Sequence, residues 1–520
     1  MEIKSAGSPV QSSGRDESAS PILDALLGAT LSREKGSESL QRQLHRQIRG
    51  AILGGQFPSG SRLPGSRMLA VALGISRNSV TAVYEQLGAE GYVESDRQGT
   101  RVAALQHPSA QSSARAKSRP PDIAERSLHI RERSYSAPDT LALRPGVPAL
   151  ARFPIGAWKN CLDRVIQRAG TDLLGYGDPL GEMPLRTAIM RHLAISRGVR
   201  CEPEQVVITE GAQEALALCV RLVTNPGDIA WVEDPGYRGA QAALACGDLK
   251  MVPISVDAEG LRVSAQAWKQ QCPRLIYATP SHQYPTGAVL SAARRLKLIR
   301  EAQAHGAWII EDDYDSEFRH AGAPIGAMQG MVAQAPVLYV GTFSKTLFPA
   351  LRTGFLVLPE TLIDTVAPVL RATLRGGHRH EQLALANFIE SGQFGRHLGR
   401  MRRLYRKRQA LLREALHDYL DVPHTVMGGE SGMHLTIRLS EDYPDQRIVE
   451  SAQSFGIAPA PLSQFFLGPS HADNGLVLGY GNTSESTFVP LIQRLNQVIL
   501  WGADSNKTDH KSVSRRRRKE

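Results

Sequence analysis

Between Val206 and Thr342 the chain alternates apolar runs of strand length with helix-like segments, and this alternation restricts the fold more than any other feature. The strand candidates are VVIT (206–209), IAWVE (229–233), RLIYAT (274–279), WIIED (308–312) and VLYVGT (337–342), with helical patterns such as 212–223 and 291–304 between several of them. Strands joined through helices run parallel in a sheet covered on both faces, so the region reads as α/β. In such sheets ligands gather at the carboxyl ends of the strands, which directs attention to the residues that follow each run.

A chain of 520 residues with 42% apolar composition exceeds what one core of roughly 250 to 300 residues holds, so at least two domains are expected. Residues 1–30, rich in Ser, Gly and Pro up to Pro21, read as a disordered arm. From Ser39 onward Leu40, Leu44, Ile48 and Ile52 recur every four residues as one face of a helix, which Gly54-Gly55 ends. That helix opens a compact module over 31–103. Residues 104–140, which include QSSARAKSRPPD, read as a flexible linker, 141–503 as the large domain, and 504–520 as a disordered basic tail ending in RRRRKE.

The net charge of +10 suits a polyanionic partner but is weak evidence by itself. The cysteines, Cys161, Cys201, Cys219, Cys246 and Cys272, show neither disulfide nor zinc spacing, and no metal is expected. No run approaches the roughly 18 apolar residues of a membrane span, and the first thirty residues lack a signal pattern, so a cytoplasmic protein without membrane contact is expected.

Within Arg62–Val102, Ser66 can cap a helix whose Leu69, Ala70 and Leu73 face inward, and Gly74 can end it in the left-handed conformation. Ile75 then enters the core, and Ser76 caps a second helix with Val80, Val83, Tyr84 and Leu87 on one side. Arg77, Asn78, Ser79 and Thr81 stand at its polar start. Tyr92-Val93-Glu94 and Thr100-Arg101-Val102, joined through Gln98-Gly99, read as a two-stranded wing. A plain helical bundle with a hairpin would explain the apolar stripes but not Arg67, Arg77 and the Gly99 turn. The order resembles the DNA-binding domain of GntR-family regulators over 38–102, and the resemblance implies that Arg67, Ser76, Arg77, Asn78, Ser79, Gly99 and Thr100 contact double-stranded operator DNA. Gly65 departs from the Ser common there.

Five segments of the large domain carry chemistry. In GTFSKTLFPALRTG, Lys345 follows a strand and could form a Schiff base with an aldehyde, while Arg352 could fork onto a phosphate. In IIEDDYDSEF a strand delivers Asp312, able to keep a ring nitrogen protonated, and Tyr314, able to bond a ring hydroxyl. In VVITEGAQEALAL the strand runs through Gly211, Ala212 and Gln213 into a helix whose first N–H groups can cradle phosphate. Tyr237 of VEDPGYRGA could stack on a cofactor ring, and TPSHQYPTG forms a tight turn.

In this order the segments resemble fold-type-I aminotransferases from about Leu141 to Trp501, and their wording is closest to the MocR-type subfamily of GntR regulators. The resemblance implies pyridoxal 5'-phosphate as cofactor, Lys345 as Schiff-base lysine, Asp312 at the pyridine nitrogen and Tyr314 at the ring hydroxyl. It also assigns Gly211, Ala212, Gln213, Thr342 and Arg352 to the phosphate, and Tyr176 to the phosphate of a neighbouring subunit. A head-to-tail, domain-swapped homodimer is implied, with each DNA-binding module docked on the other subunit. Two departures weaken efficient transamination: Val477 stands where such enzymes carry a carboxylate-binding arginine, and Tyr284 stands where they usually have Asn. Arg375, His378, Arg379 and Arg438 read as solvated or structural cations rather than substitutes.

The expected function is a transcription regulator at the nucleoid in which the cofactor, a small amine or an amino acid alters operator binding. A working aminotransferase with an accessory DNA-binding domain, and a dimerisation scaffold with Lys345 idle, are the rivals.

Overall fold

The computed structural model describes residues 20–27, 31–34, 37–105, 122–128, 130, 137–320, 322, 325–468 and 473–501. They form two compact units, Met1–Asp122 and Ile123–Glu520.

The first unit contains helices α1 (Ser20–Leu27), α2 (Leu40–Leu53), α3 (Ser66–Leu73) and α4 (Arg77–Ala89), followed by antiparallel strands β1 (Val93–Asp96) and β2 (Gly99–Val102). Leu44, Ile48 and Ile52 of α2 meet Leu69 of α3, Val80, Val83 and Leu87 of α4, and Val93 and Val102 of the wing in one core. Ser39 caps α2 by accepting from the Arg42 amide, and Ser76 caps α4 by accepting from the Ser79 amide at 3.0 Å. Gly74 ends α3 at φ +63°, and the Arg33 guanidinium donates to its carbonyl at 2.7 Å.

Three expectations need correction here. Residues Ser20–Leu27 are helical, and Ile22 and Leu26, one helical turn apart, are buried in the module's core. The composition of the first thirty residues averaged out that short apolar face; the rest of the expected arm, 1–19 and 28–30, lies outside the described residues. Ser66 is the first residue of α3, not its cap: Gly65 holds the cap position with no side-chain bond. Finally, Glu125–Leu128, inside the expected linker, form a helical turn, and Arg126 lies 3.2 Å from Asp248. Residues 106–121 and 502–520, with the basic tail, lie outside the described residues.

The second unit holds strands β3 (Val206–Thr209), β4 (Ile229–Asp234), β5 (Lys250–Asp257), β6 (Gly260–Leu261), β7 (Leu275–Ala278), β8 (Trp308–Asp313), β9 (Val337–Thr342) and β10 (Gly354–Val357). Their order in one sheet is β3-β10-β9-β8-β7-β4-β5-β6. β5, β4, β7, β8 and β9 run parallel; helix Arg238–Cys246 joins β4 to β5, and Ala292–His305, where the sequence shows helical periodicity, joins β7 to β8. β10 departs from the parallel expectation by inserting antiparallel between β3 and β9. β11 (His424–Met427), β12 (His434–Leu439), β13 (Ala460–Pro461) and β14 (Gly475–Gly479) form a separate antiparallel sheet that strand-helix alternation did not signal. Among the described residues no helix is long and apolar enough to cross a membrane.

Candidate functional site

Three successive acids end β8, and the two-residue period of a strand sends them to opposite faces. Glu311 accepts from the Met328 and Gln329 amides at 2.8 and 3.0 Å, and Asp313 pairs with the Arg197 guanidinium at 2.8 Å. Asp312 points the other way. It is 4% exposed; one carboxyl oxygen accepts from the Tyr277 hydroxyl at 2.8 Å, and the other has no hydrogen-bond partner among the described residues.

Burial pushes the Asp312 carboxyl up to about 7, helped by the charges of Asp313 and Asp315 and opposed by the Tyr277 hydrogen bond and Lys345. Burial likewise pushes Glu233 on β4 up to about 7, although it accepts from the Thr279 hydroxyl at 2.6 Å and the Thr279 amide at 3.0 Å. An acid whose folded pKa is raised contributes full stability below its unfolded value, near 4, and that contribution is lost as pH rises to about 7. Asp312→Asn in the cofactor-free protein is therefore expected to narrow the fall in Tm between pH 5 and pH 8; an unchanged fall in a thermal scan would refute this assignment.

Lys345 follows β9, half-buried, and its Nζ donates to the Gly146 carbonyl at 2.7 Å. Its charge acts on Asp312 and on His434. Thr342, the last residue of β9, accepts from the Ser344 amide at 3.2 Å. After β3 the chain turns through Gly211 at φ +86°, a conformation that favours glycine, into the helix Ala212–Val223. Arg352 donates to the Glu210 carbonyl at 2.7 Å, and its guanidinium would lie 3.4 Å from a Cβ on Gly211. The amides at the helix start and this guanidinium form a corner whose charge would favour an anion.

Gln213 is exposed and its side-chain amide donates to the Gly239 carbonyl at 2.9 Å, so it ties the corner to the Tyr237 turn. Tyr237 and Tyr284 meet edge to face at 6.1 Å. The Tyr314 hydroxyl lies 3.0 Å from the His282 carbonyl and 3.1 Å from His282 Nδ1. The fold thus gathers Lys345, Asp312, Tyr314, Thr342, Arg352, Gly211, Ala212, Gln213 and Tyr237 at one edge of the large sheet. Tyr176 is not brought to them: it is 93% exposed.

Sequence reasoning missed Tyr277, Glu233, His282 and Asp315. A phenol in the middle of the apolar run RLIYAT was the available signal for Tyr277, because a buried hydroxyl requires a partner. Val477 is buried with Ala460, Leu462 and Phe465, and Tyr284 packs against that cluster. The four spare cations already have partners: Arg379 pairs with Glu182 at 2.6 Å, Arg438 with Asp473 at 2.6 Å and His378 with Glu210 at 3.2 Å, while Arg375 donates to the Ala372 and Leu374 carbonyls.

In the first unit Arg67, Ser76, Arg77, Asn78 and Gly99 are exposed, and Ser79 and Thr100 are half-buried. Ser76 and Ser79 hydroxyls lie 2.8 Å apart, and Thr100 bonds the Ser95 hydroxyl at 3.0 Å across the wing.

Residues 40–102 match the family of bacterial regulatory proteins named gntR, and residues 148–464 match aminotransferase class I and II. The chain is 40% identical over 474 residues to the probable rhizopine catabolism regulatory protein MocR of Rhizobium meliloti, spanning 89% of this chain and 94% of that protein. It is 32% identical to the pyridoxine biosynthesis transcriptional regulator PdxR of Corynebacterium glutamicum, covering 89% and 97% of the two chains. In structure it resembles the kynurenine aminotransferase of Pyrococcus horikoshii in complex with PMP, with TM-score 0.66, 26% identity, and coverage of 72% of this chain and 96% of that one.

Proposed function

Because the chain belongs to the MocR-type regulators of the GntR family, we propose that it is a transcription regulator whose affinity for operator DNA follows pyridoxal 5'-phosphate or its adduct with an amine. The observation that carries the cofactor reading is the buried Asp312 oxygen without a hydrogen-bond partner among the described residues, which suits a protonated ring nitrogen. The anion-binding corner suits the phosphate. When bound, the cofactor supplies an aldehyde that reacts with primary amines.

In this reading Lys345 would supply the amine that holds the cofactor, and Asp312, itself positioned by Tyr277, would keep the ring nitrogen protonated. Tyr314 would donate to the ring hydroxyl, and Tyr237 would pack against the ring. Gly211, Ala212, Gln213, Thr342 and Arg352 hold the phosphate. Leu174 and Tyr176, 77% and 93% exposed, suit burial by a second subunit of a homodimer, in which Tyr176 completes the partner's phosphate site. Arg67, Ser76, Arg77, Asn78 and Ser79 meet operator DNA in the major groove, and Gly99 and Thr100 meet it through the wing, on the nucleoid in the cytoplasm. The buried apolar environment of Val477 argues for weak or absent transamination, because no bidentate carboxylate clamp forms there.

Sensing requires that the ligand favour one arrangement of the regulator over another, and a difference of about 1 to 3 kcal/mol suffices. The test is fluorescence anisotropy on a duplex selected by the purified protein from a random pool, with and without pyridoxal phosphate and a panel of amines. A change in Kd of about tenfold is expected with one of them, equivalent to about 1.4 kcal/mol. Equal affinities under all conditions would overturn the sensor reading.

A further inference from the structure

His282 and Asp315 come from two different turns, TPSHQYPTG and IIEDDYDSEF, yet they meet in the interior beside Tyr314. His282 is 2% exposed and Asp315 is 2% exposed. The imidazole Nδ1 lies 2.9 and 3.1 Å from the two Asp315 oxygens and 3.1 Å from the Tyr314 hydroxyl. A carboxylate accepts only, so Nδ1 carries a proton and donates it toward Asp315, which fixes the ring's orientation. The phenol oxygen lies within reach of the same Nδ1 proton at 3.1 Å, which fixes its position, and its own single proton has two competing acceptors, the His282 carbonyl at 3.0 Å and a cofactor oxygen brought in front of it. Nε2 is buried with no partner among the described residues.

The surroundings are shaped for this pair. Gly432, at φ +79°, passes so close that a Cβ there would overlap both the His282 ring and Asp315 Oδ2. The Tyr314 ring stacks on the imidazole at 5.9 Å and 26°, and the His434 ring lies 4.8 Å away on another side. The titratable groups facing His282 are therefore Asp315, Tyr314 and His434, with His320 and Tyr480 next to them. Burial holds His434 well below the usual imidazole range and His320 at about 4.

We propose that His282, anchored by Asp315, is a positioning residue that orients the Tyr314 phenol toward the cofactor's ring hydroxyl and thereby sets the proton balance there. The proposal rests on the reading of this pocket as a pyridoxal phosphate site with Tyr314 at the ring hydroxyl. A phenol held to donate stabilises negative charge on the ring oxygen, which weakens that oxygen's hold on the neighbouring proton. Without His282 or Asp315, the phenol would rotate among other acceptors and the stabilisation would fall.

The experiment is a pH titration of the visible absorption of the cofactor-loaded full chain for wild type, His282→Asn, Asp315→Asn, Tyr314→Phe and the His282→Asn/Tyr314→Phe double variant, with circular dichroism to check folding. The expected result is an upward shift of the midpoint by about one unit in each single variant, a tenfold change in proton affinity. The double variant should match Tyr314→Phe alone, since the imidazole acts through the phenol. A midpoint unmoved in folded His282→Asn and Asp315→Asn while Tyr314→Phe shifts it would overturn the proposal, as would additive shifts. If a variant fails to fold, the remaining two with Tyr314→Phe still decide. Absence of any visible band in wild type would instead defeat the cofactor reading itself.

Discussion

Lys345→Ala is expected to abolish the visible absorption that pyridoxal phosphate gives with the wild-type chain and to leave operator affinity unresponsive to the cofactor. The reason is that Lys345 offers an amine near Asp312 at the carboxyl edge of the sheet, just past β9, the strand next to that of Asp312, so the covalent link would depend on one side chain. The phosphate and ring contacts proposed for Arg352, Gly211 and Asp312 would be untouched in the variant, so non-covalent binding should persist at lower affinity. Spectra of the two proteins at matched cofactor concentrations decide the matter: the same band in Lys345→Ala would show that another amine is the anchor. The lost contact with the Gly146 carbonyl is a single hydrogen bond, worth about 1 kcal/mol, and should leave the chain folded.

The second large effect is expected in the DNA-binding module. Arg77→Ala should weaken operator binding by about 1 to 3 kcal/mol and relax base preference at one position, because Arg77 is exposed at the first turn of α4. Arg67→Ala should weaken all duplexes alike and reduce the salt slope by about one, as loss of a phosphate contact does. Neither side chain belongs to the core, so thermal stability and the cofactor spectrum should remain those of wild type. If Arg77→Ala binds selected and random duplexes with wild-type affinities, the α4 start is not the reading edge, and the wing with Gly99 and Thr100 becomes the place to test.

The two halves of the molecule differ in how far local pattern foretells them. The DNA-binding module is made of short-range signals: the four-residue stripe of α2, the Ser76 cap, the left-handed Gly74 and the tight wing turn. Each is decided by residues a few positions apart, and all were legible. What escaped was α1, because its short apolar run, following a Ser- and Gly-rich stretch, gains its meaning only from a core supplied by distant segments.

In the large domain, strands whose runs are apolar on both faces were also legible, including β9 to the residue. β5, in which only Ile254 is buried, and β10, entering antiparallel, were not, since pairing partners come from remote parts of the chain. The second sheet escaped for the same reason.

By itself the sequence determined residue chemistry and local order: a lysine after one strand, an acid at the end of another, glycine before a helix, and arginine and asparagine at a helix start. Only the tertiary structure decided which of three consecutive acids faces the pocket, that Tyr277 holds it, and that His282 and Asp315 form one buried pair behind Tyr314. The physical reason is that strand pleat and helix period are properties of neighbours along the chain. Burial, orphaned lone pairs and shifted proton affinities arise instead between side chains that folding alone brings together.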